Sequence, residues 1–156
     1  MSRKRMAIIG ASLAGATAAA SLRQGGFDGE LELIGAEAHL PFNRPPLSKG
    51  YLRGQERFED QLVNPSSSYA EQEISLRLGI RATEIDPARK IVRLDRGEEI
   101  PYEQLLVATG ARNRKLTVPG ADLQGIFQMR TVEDCERIAN ISPLRHRPPP
   151  AWSPAP

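Results

Sequence analysis

Apolar positions along this chain fall into short blocks whose spacing changes from one to the next. Met6, Ala7, Ile8 and Ile9 form a continuous apolar run that stops at Gly10, the pattern of a buried strand. From Ala14 to Leu22 small residues dominate and predict a tightly packed helix. Leu31, Leu33 and Ile34 mark a second strand. Residues 53 to 68 read as polar surface closing in Asn64-Pro65-Ser66-Ser67-Ser68, and Tyr69 to Leu78 predicts a short helix and then a strand leading to Gly79, Ile80 and Ala82. Ile85-Asp86-Pro87 ends one strand, Lys90 to Leu94 makes the next, and Arg96-Gly97 turns back toward Ile100, so this region reads as a small β-meander. The uninterrupted run Leu105-Leu106-Val107-Ala108 predicts a strand buried on both faces. Residues 131 to 141 predict a helix with Thr131 as N-cap; Asp134 stands where the capping box usually carries Glu or Gln.

The first strand and helix enclose Gly10-Ala11-Ser12-Leu13-Ala14-Gly15. A glycine turn between a buried strand and a helix lets bare backbone approach a pyrophosphate, and the helix supplies unpaired N–H groups and the positive end of its dipole. The common form is G-x-G-x-x-G; here Ser12 holds the middle position, small enough for close approach and able to donate to a phosphate through its hydroxyl. Glu37 lies just past the second strand, 22 residues after Gly15, where an acid can accept from both ribose hydroxyls of an adenosine. Strand, turn, helix, strand and acid in this order predict an ADP-containing cofactor. An NAD-binding dehydrogenase fits these residues as well as a flavoprotein does.

Charge and composition narrow the classes. The 156 residues carry 21 basic and 19 acidic side chains, net +2, with no basic stripe interleaved with aromatics, which argues against a nucleic-acid surface. No apolar run approaches a membrane span, and Ser2-Arg3-Lys4-Arg5 leads directly into the first strand. Cys135 is the only cysteine, so neither a disulfide framework nor a thiolate metal cluster is expected, and a cytoplasmic location is the default. His39 and His146 read as loop and tail residues, and Cys135 as structural or incidental. Six prolines between Pro143 and Pro156, none three apart, predict a disordered tail over residues 141–156 without a P-x-x-P site.

Four segments, G-A-S-L-A-G, L-P-F-N-R-P-P-L-S-K-G-Y-L, L-L-V-A-T-G-A-R and V-P-G-A-D-L, together resemble the FAD-dependent NAD(P)H:ferredoxin reductases of the pyridine nucleotide-disulfide oxidoreductase superfamily. The resemblance covers about residues 5 to 140, and R-P-P-L-S-K is its most specific part. It implies an α/β, Rossmann-like FAD-binding domain over residues 1–140, a parallel sheet with an inserted β-meander. By the same resemblance Gly10, Ser12 and Gly15 line the FAD pyrophosphate and Glu37 holds the adenosine ribose. Arg44 lies near the adenine or phosphates, Ala82 offers backbone groups to the adenine, and Thr109 and Gly110 pass beside the cofactor. Arg130 reaches the FAD phosphates, and Lys49 stands close to the isoalloxazine ring as the residue expected to act in catalysis. A positive charge there favours reduced, anionic flavin; the plainer reading of Lys49 is a surface lysine at a helix start.

The resemblance also implies NAD(P)H and a ferredoxin-type iron–sulfur protein as electron donor and acceptor. Disulfide-reducing relatives carry redox cysteines after the second strand, whereas residues 38 to 60 contain none, which favours direct flavin-to-iron–sulfur transfer over thiol chemistry. A small NAD dehydrogenase leaves R-P-P-L-S-K without a role. Members of the resembled family are more than twice as long, so the domain is expected to be incomplete: a truncated or frameshifted reading frame, with an unpaired sheet edge, weak or absent FAD binding and no NAD(P)H-driven turnover alone. The competing expectation is a non-enzymatic flavin- or nucleotide-binding fragment.

Overall fold

The computed structural model describes residues 4–141. The tail from residue 142 on, with His146, lies outside the described residues. Those residues make two compact units, one of residues 4–43 and 62–110, the other of residues 44–61 and 111–141.

The first unit is built on a four-stranded parallel sheet. Strands β1 (Arg5–Ile9), β2 (Glu30–Gly35) and β3 (Ile74–Leu78) lie in that order from one side, and a later strand lies on the other side of β1. Between β1 and β2 runs α1 (Leu13–Gln24), and α2 (Ser66–Glu71) precedes β3. Three short antiparallel strands follow: β4 (Ala82–Asp86), β5 (Ile91–Leu94) and β6 (Glu99–Pro101), with a bulge between Ala82 and Glu84. The chain then returns as β7 (Gln104–Val107), parallel to β1.

Register explains how the sheet is covered. Leu106, Ile8, Leu33 and Leu76 stand in one row across the four strands and pack with Ala16 and Ala19 of α1 and with Tyr69. The alternate positions Ala7, Ile9, Ile34 and Leu105 face the opposite way and pack on Val92, Leu94 and Ile100 of the meander. Because side chains alternate along a strand, both faces of β1 are buried, which is why its sequence is continuously apolar. The alanine-rich face of α1 follows from the same geometry: small side chains let the helix lie close to the sheet. Arg23, near the end of α1, donates to four carbonyls, those of Gln72, Phe27, Gly29 and Glu73, and lies over the Phe27 ring. It ties the helix end to the turns before β2 and β3.

Strand β7 departs from expectation. Its run is apolar, yet Leu105 and Leu106 are half-buried and Val107 is 55% exposed. Among the described residues β7 pairs with β1 alone, so it is a sheet edge whose outer side has no cover, and the apolar run does not correspond to burial on both faces. A second departure concerns residues 53–68. The segment is mostly exposed, but it holds a 3-10 turn (Glu59–Gln61) whose Gln61 is buried and donates to Glu56, and α2 begins at Ser66, before Tyr69.

In the second unit, Pro45 and Pro46 open a 3-10 turn (Pro45–Ser48) in which the missing proline N–H groups cost nothing. The C-terminal helix α3 (Val132–Ile141) begins as its sequence predicts. The Thr131 hydroxyl accepts from the Asp134 N–H at 3.2 Å, and the Asp134 carboxylate accepts from the Thr131 N–H at 3.1 Å. Aspartate thus closes a reciprocal capping box in place of the usual glutamate. Its buried stripe is Val132, Cys135 and Ala139, at helical spacing.

Candidate functional site

The carboxyl ends of β1, β2 and β7 meet around Gly10. From β1 the chain moves outward through β2 and β3 and comes back on the other side as β7, so the sheet order reverses between β1 and β7. Open α/β sheets bind ligands at such a switch point, beyond the carboxyl ends of the strands. Gly10 sits there with a φ of +119°, its N–H donating to the Ile34 carbonyl at 2.8 Å, while the Ala108 N–H donates to the Ile9 carbonyl at 2.7 Å. A Cβ on Gly10 would collide with the Ala108 backbone, so neither its conformation nor its surroundings admit a side chain.

Gly15 has the second requirement. It lies in the first turn of α1, fully buried, and a Cβ there would overlap the Gly10 carbonyl and press on Leu33. The helix can therefore start directly above the end of β1. Ser12 occupies the N-cap with extended dihedrals, but its hydroxyl makes no capping bond and no acidic side chain stands in the first turn. First-turn N–H groups have no intrahelical acceptor, and here no side-chain oxygen competes for them. A bare-backbone cradle under an uncapped helix start matches the needs of a pyrophosphate, and the residues present fit a dinucleotide.

Glu37 follows β2 by two residues and is half-buried, and its backbone carbonyl accepts from the Gly79 N–H at 2.9 Å. The Ile80 N–H donates to the Gly35 carbonyl at 3.0 Å. These bonds bring the segment entering β4, and with it Ala82, to the same end of β2 as Glu37. Thr109 and Gly110 continue β7 past its last residue and are exposed. The fold thus gathers Gly10, Ser12, Gly15, Glu37, Ala82, Thr109 and Gly110 at the carboxyl ends of the strands.

Arg44, Lys49 and Arg130 belong to the second unit. Arg44 is half-buried and donates through Nη1 to the Arg130 carbonyl at 2.7 Å. The two arginines, with Leu47, Ser48 and Met129, line a small cleft of about 160 Å³. Lys49 is exposed and ends the 3-10 turn, its N–H donating to the Pro46 carbonyl. It therefore follows the carboxyl end of a turn rather than opening a helix, which corrects the expected helix start. Cys135 is fully buried and donates from Sγ to the Leu47 carbonyl at 3.0 Å, and the Tyr51 hydroxyl donates to Glu136 at 3.1 Å. Structural use of Cys135 is what its sequence setting predicts. His39 lies in the loop after β2 with its ring edge-on to Phe42. The pairing of Arg44 with Arg130, 86 residues apart, and the place of Ser48 and Met129 beside them had no local signal, since each contact is made by tertiary folding alone. Among the described residues no group of His, Cys, Asp and Glu could hold a metal ion, and no helix is long and apolar enough to cross a membrane.

A ferredoxin–NAD(P)+ reductase of a Sphingomonas species is 39% identical over 132 residues, 85% of this chain and 32% of the relative. A rubredoxin–NAD+ reductase of Pseudomonas putida is 40% identical, over 84% of this chain and 34% of the relative. Among solved structures, the covalent putidaredoxin reductase–putidaredoxin complex superposes with a TM-score of 0.82 at 35% identity, covering 90% of this chain and 34% of that one. A ferredoxin reductase from Rhodopseudomonas palustris gives 0.80 at 38% identity, covering 88% of this chain and 34% of that one. The chain spans about a third of the length of these relatives. The model of the pyridine nucleotide-disulphide oxidoreductases matches residues 4–144, and the chain belongs to that family.

Proposed function

We propose that this chain forms the FAD-holding part of an oxidoreductase that passes electrons from NAD(P)H to a ferredoxin-type iron–sulfur protein in the cytoplasm. The observation that carries the reading is the cradle at Gly10 and Gly15, where any side chain is excluded and the start of α1 carries no cap of its own. Ser12 and the first-turn N–H groups bind the pyrophosphate, and Glu37 accepts from the adenosine ribose. Ala82 meets the adenine through its backbone, and Thr109 and Gly110 run beside the cofactor. Arg44 and Arg130 supply positive charge for phosphate groups. Lys49 holds an ammonium beside the flavin ring, where it stabilises negative charge. When bound, FAD supplies the conversion of a two-electron hydride into single electrons. The names of the relatives, ferredoxin and rubredoxin reductases, support the choice of donor and acceptor.

Equilibrium dialysis of the purified chain against FAD, NAD+ and riboflavin tests the reading. The expected result is weak but saturable uptake of FAD that ADP displaces, still weaker uptake of NAD+, and none of riboflavin, which lacks the pyrophosphate. Preference for NAD+ over FAD would favour a nicotinamide-binding fold, and uptake of neither would overturn the proposal.

A further inference from the structure

Asp134 does more than cap α3. Its Oδ2 accepts from the N–H of Thr131, which closes the capping box, and also from the N–H of Arg130 at 3.0 Å. Its Oδ1 accepts from Arg137 at 3.2 Å. A capping box requires only the bond to the N-cap residue; the one to Arg130 lies a residue outside the helix and is not part of that motif. The peptide groups of Arg130 are therefore held at both ends, the N–H by Asp134 and the carbonyl by Arg44 Nη1. Both arginines line the cleft that also holds Ser48.

We propose that Asp134 is a positioning residue that assembles Arg44 and Arg130 into one anion-holding pair for a phosphate group; this rests on the FAD reading above. Two guanidinium groups on one cleft repel each other, and each long side chain loses rotamer freedom when fixed. Asp134 offsets the second effect: it locks the Arg130 backbone so that the carbonyl stays in place as the acceptor for Arg44. A guanidinium is planar, so anchoring one N–H sets the direction of the others. Asp134 touches no ligand in this scheme; it acts through Arg130 and then Arg44.

The 156-residue chain titrated with ADP by calorimetry tests this, because ADP carries the phosphates without the flavin. Asp134→Ala is expected to weaken ADP by about tenfold, the loss associated with a hydrogen bond to a charged group. Asp134→Asn keeps one acceptor oxygen and should recover affinity to within about threefold of the parent. Once Arg44→Ala is present, adding Asp134→Ala should cost nothing further, since the two act in series. Thr131→Val breaks the capping box while keeping the bond from Arg130 to Asp134, so it should lower the melting temperature and leave ADP affinity within about twofold. Equal losses from Thr131→Val and Asp134→Ala would mean that Asp134 acts only as a cap, and additive losses from Arg44→Ala and Asp134→Ala would break the proposed series; either overturns the proposal. Unchanged affinity in Asp134→Ala does so too. If the parent chain fails to bind ADP at all, the FAD reading falls and this proposal with it.

Discussion

Gly15 shows how one missing side chain can decide a site. Its absent Cβ is what lets α1 begin against the carbonyl of Gly10, so the helix start and the strand end share one small space. Gly15→Val would force branched carbons into the backbone of Gly10, just past the end of β1, which cannot swing away as a side chain can. The expected result is loss of FAD and ADP uptake by equilibrium dialysis, with destabilisation of about 1–3 kcal/mol in urea unfolding. Retained uptake at parental affinity would mean that the cradle is not where the pyrophosphate lies. This residue was legible in the sequence because its meaning is local: a glycine at fixed spacing from a buried strand has few explanations. Glu37 was legible for the same reason, being placed by the end of β2. Arg44 was not, because the acceptor that fixes it is a carbonyl 86 residues away. Nothing in the neighbours of Arg44 distinguishes a residue that binds a phosphate directly from one anchored on another backbone segment.

Among the elements, β7 separates what composition says from what topology does. Four consecutive apolar residues predict burial on two faces, and β1, with Ile8 in one apolar layer and Ala7 and Ile9 in the other, obeys that rule. Strand β7 has the same composition but, among the described residues, one neighbouring strand, and Val107 stands 55% exposed at that edge. Apolar edges of this kind template association with other chains. Val107→Lys is expected to slow concentration-dependent aggregation, followed by light scattering, while changing unfolding free energy by no more than about 0.5 kcal/mol. Unaltered scattering would show that association uses another surface. Element identity was otherwise well encoded: the small-residue helix, the capping box at Thr131 and the meander turn at Gly97 are all set by short-range chemistry. The positions of Lys49 and of the start of α2 were displaced because turns built on proline and serine can begin at several neighbouring residues.

At the scale of a whole folded unit, the first unit buries its apolar side chains in two layers on the parallel sheet and keeps its charges at the surface. Among the described residues the ion pairs of the first unit, Arg5–Glu30, Arg77–Glu32, Arg77–Glu98, Arg89–Glu99, Arg93–Glu84 and Arg93–Glu99, are all partly or largely exposed, and such pairs contribute little each. A titratable group inside the core has more influence on the pH range of folding. Tyr69 is 2% exposed within the layer under α1; burial pushes its phenol above 10, and the Asn64 side chain draws it back in part. Below pH 10 the phenol is neutral in folded and unfolded chains alike, and its titration has no effect on stability. Between pH 10 and the folded value, the unfolded chain releases the proton while the folded chain keeps it. The unfolded state then binds fewer protons, so stability falls as pH rises, by at most about 1.4 kcal/mol per pH unit for this group. Tyr69→Phe removes that slope and leaves every other titrating side chain in place. Urea unfolding at pH 8, 10 and 11 should therefore show the variant gaining on the parent as pH rises, whatever their difference at pH 8. A constant difference across the three pH values would mean that Tyr69 ionises as freely in the folded chain as in the unfolded one, and that the core under α1 is open to water.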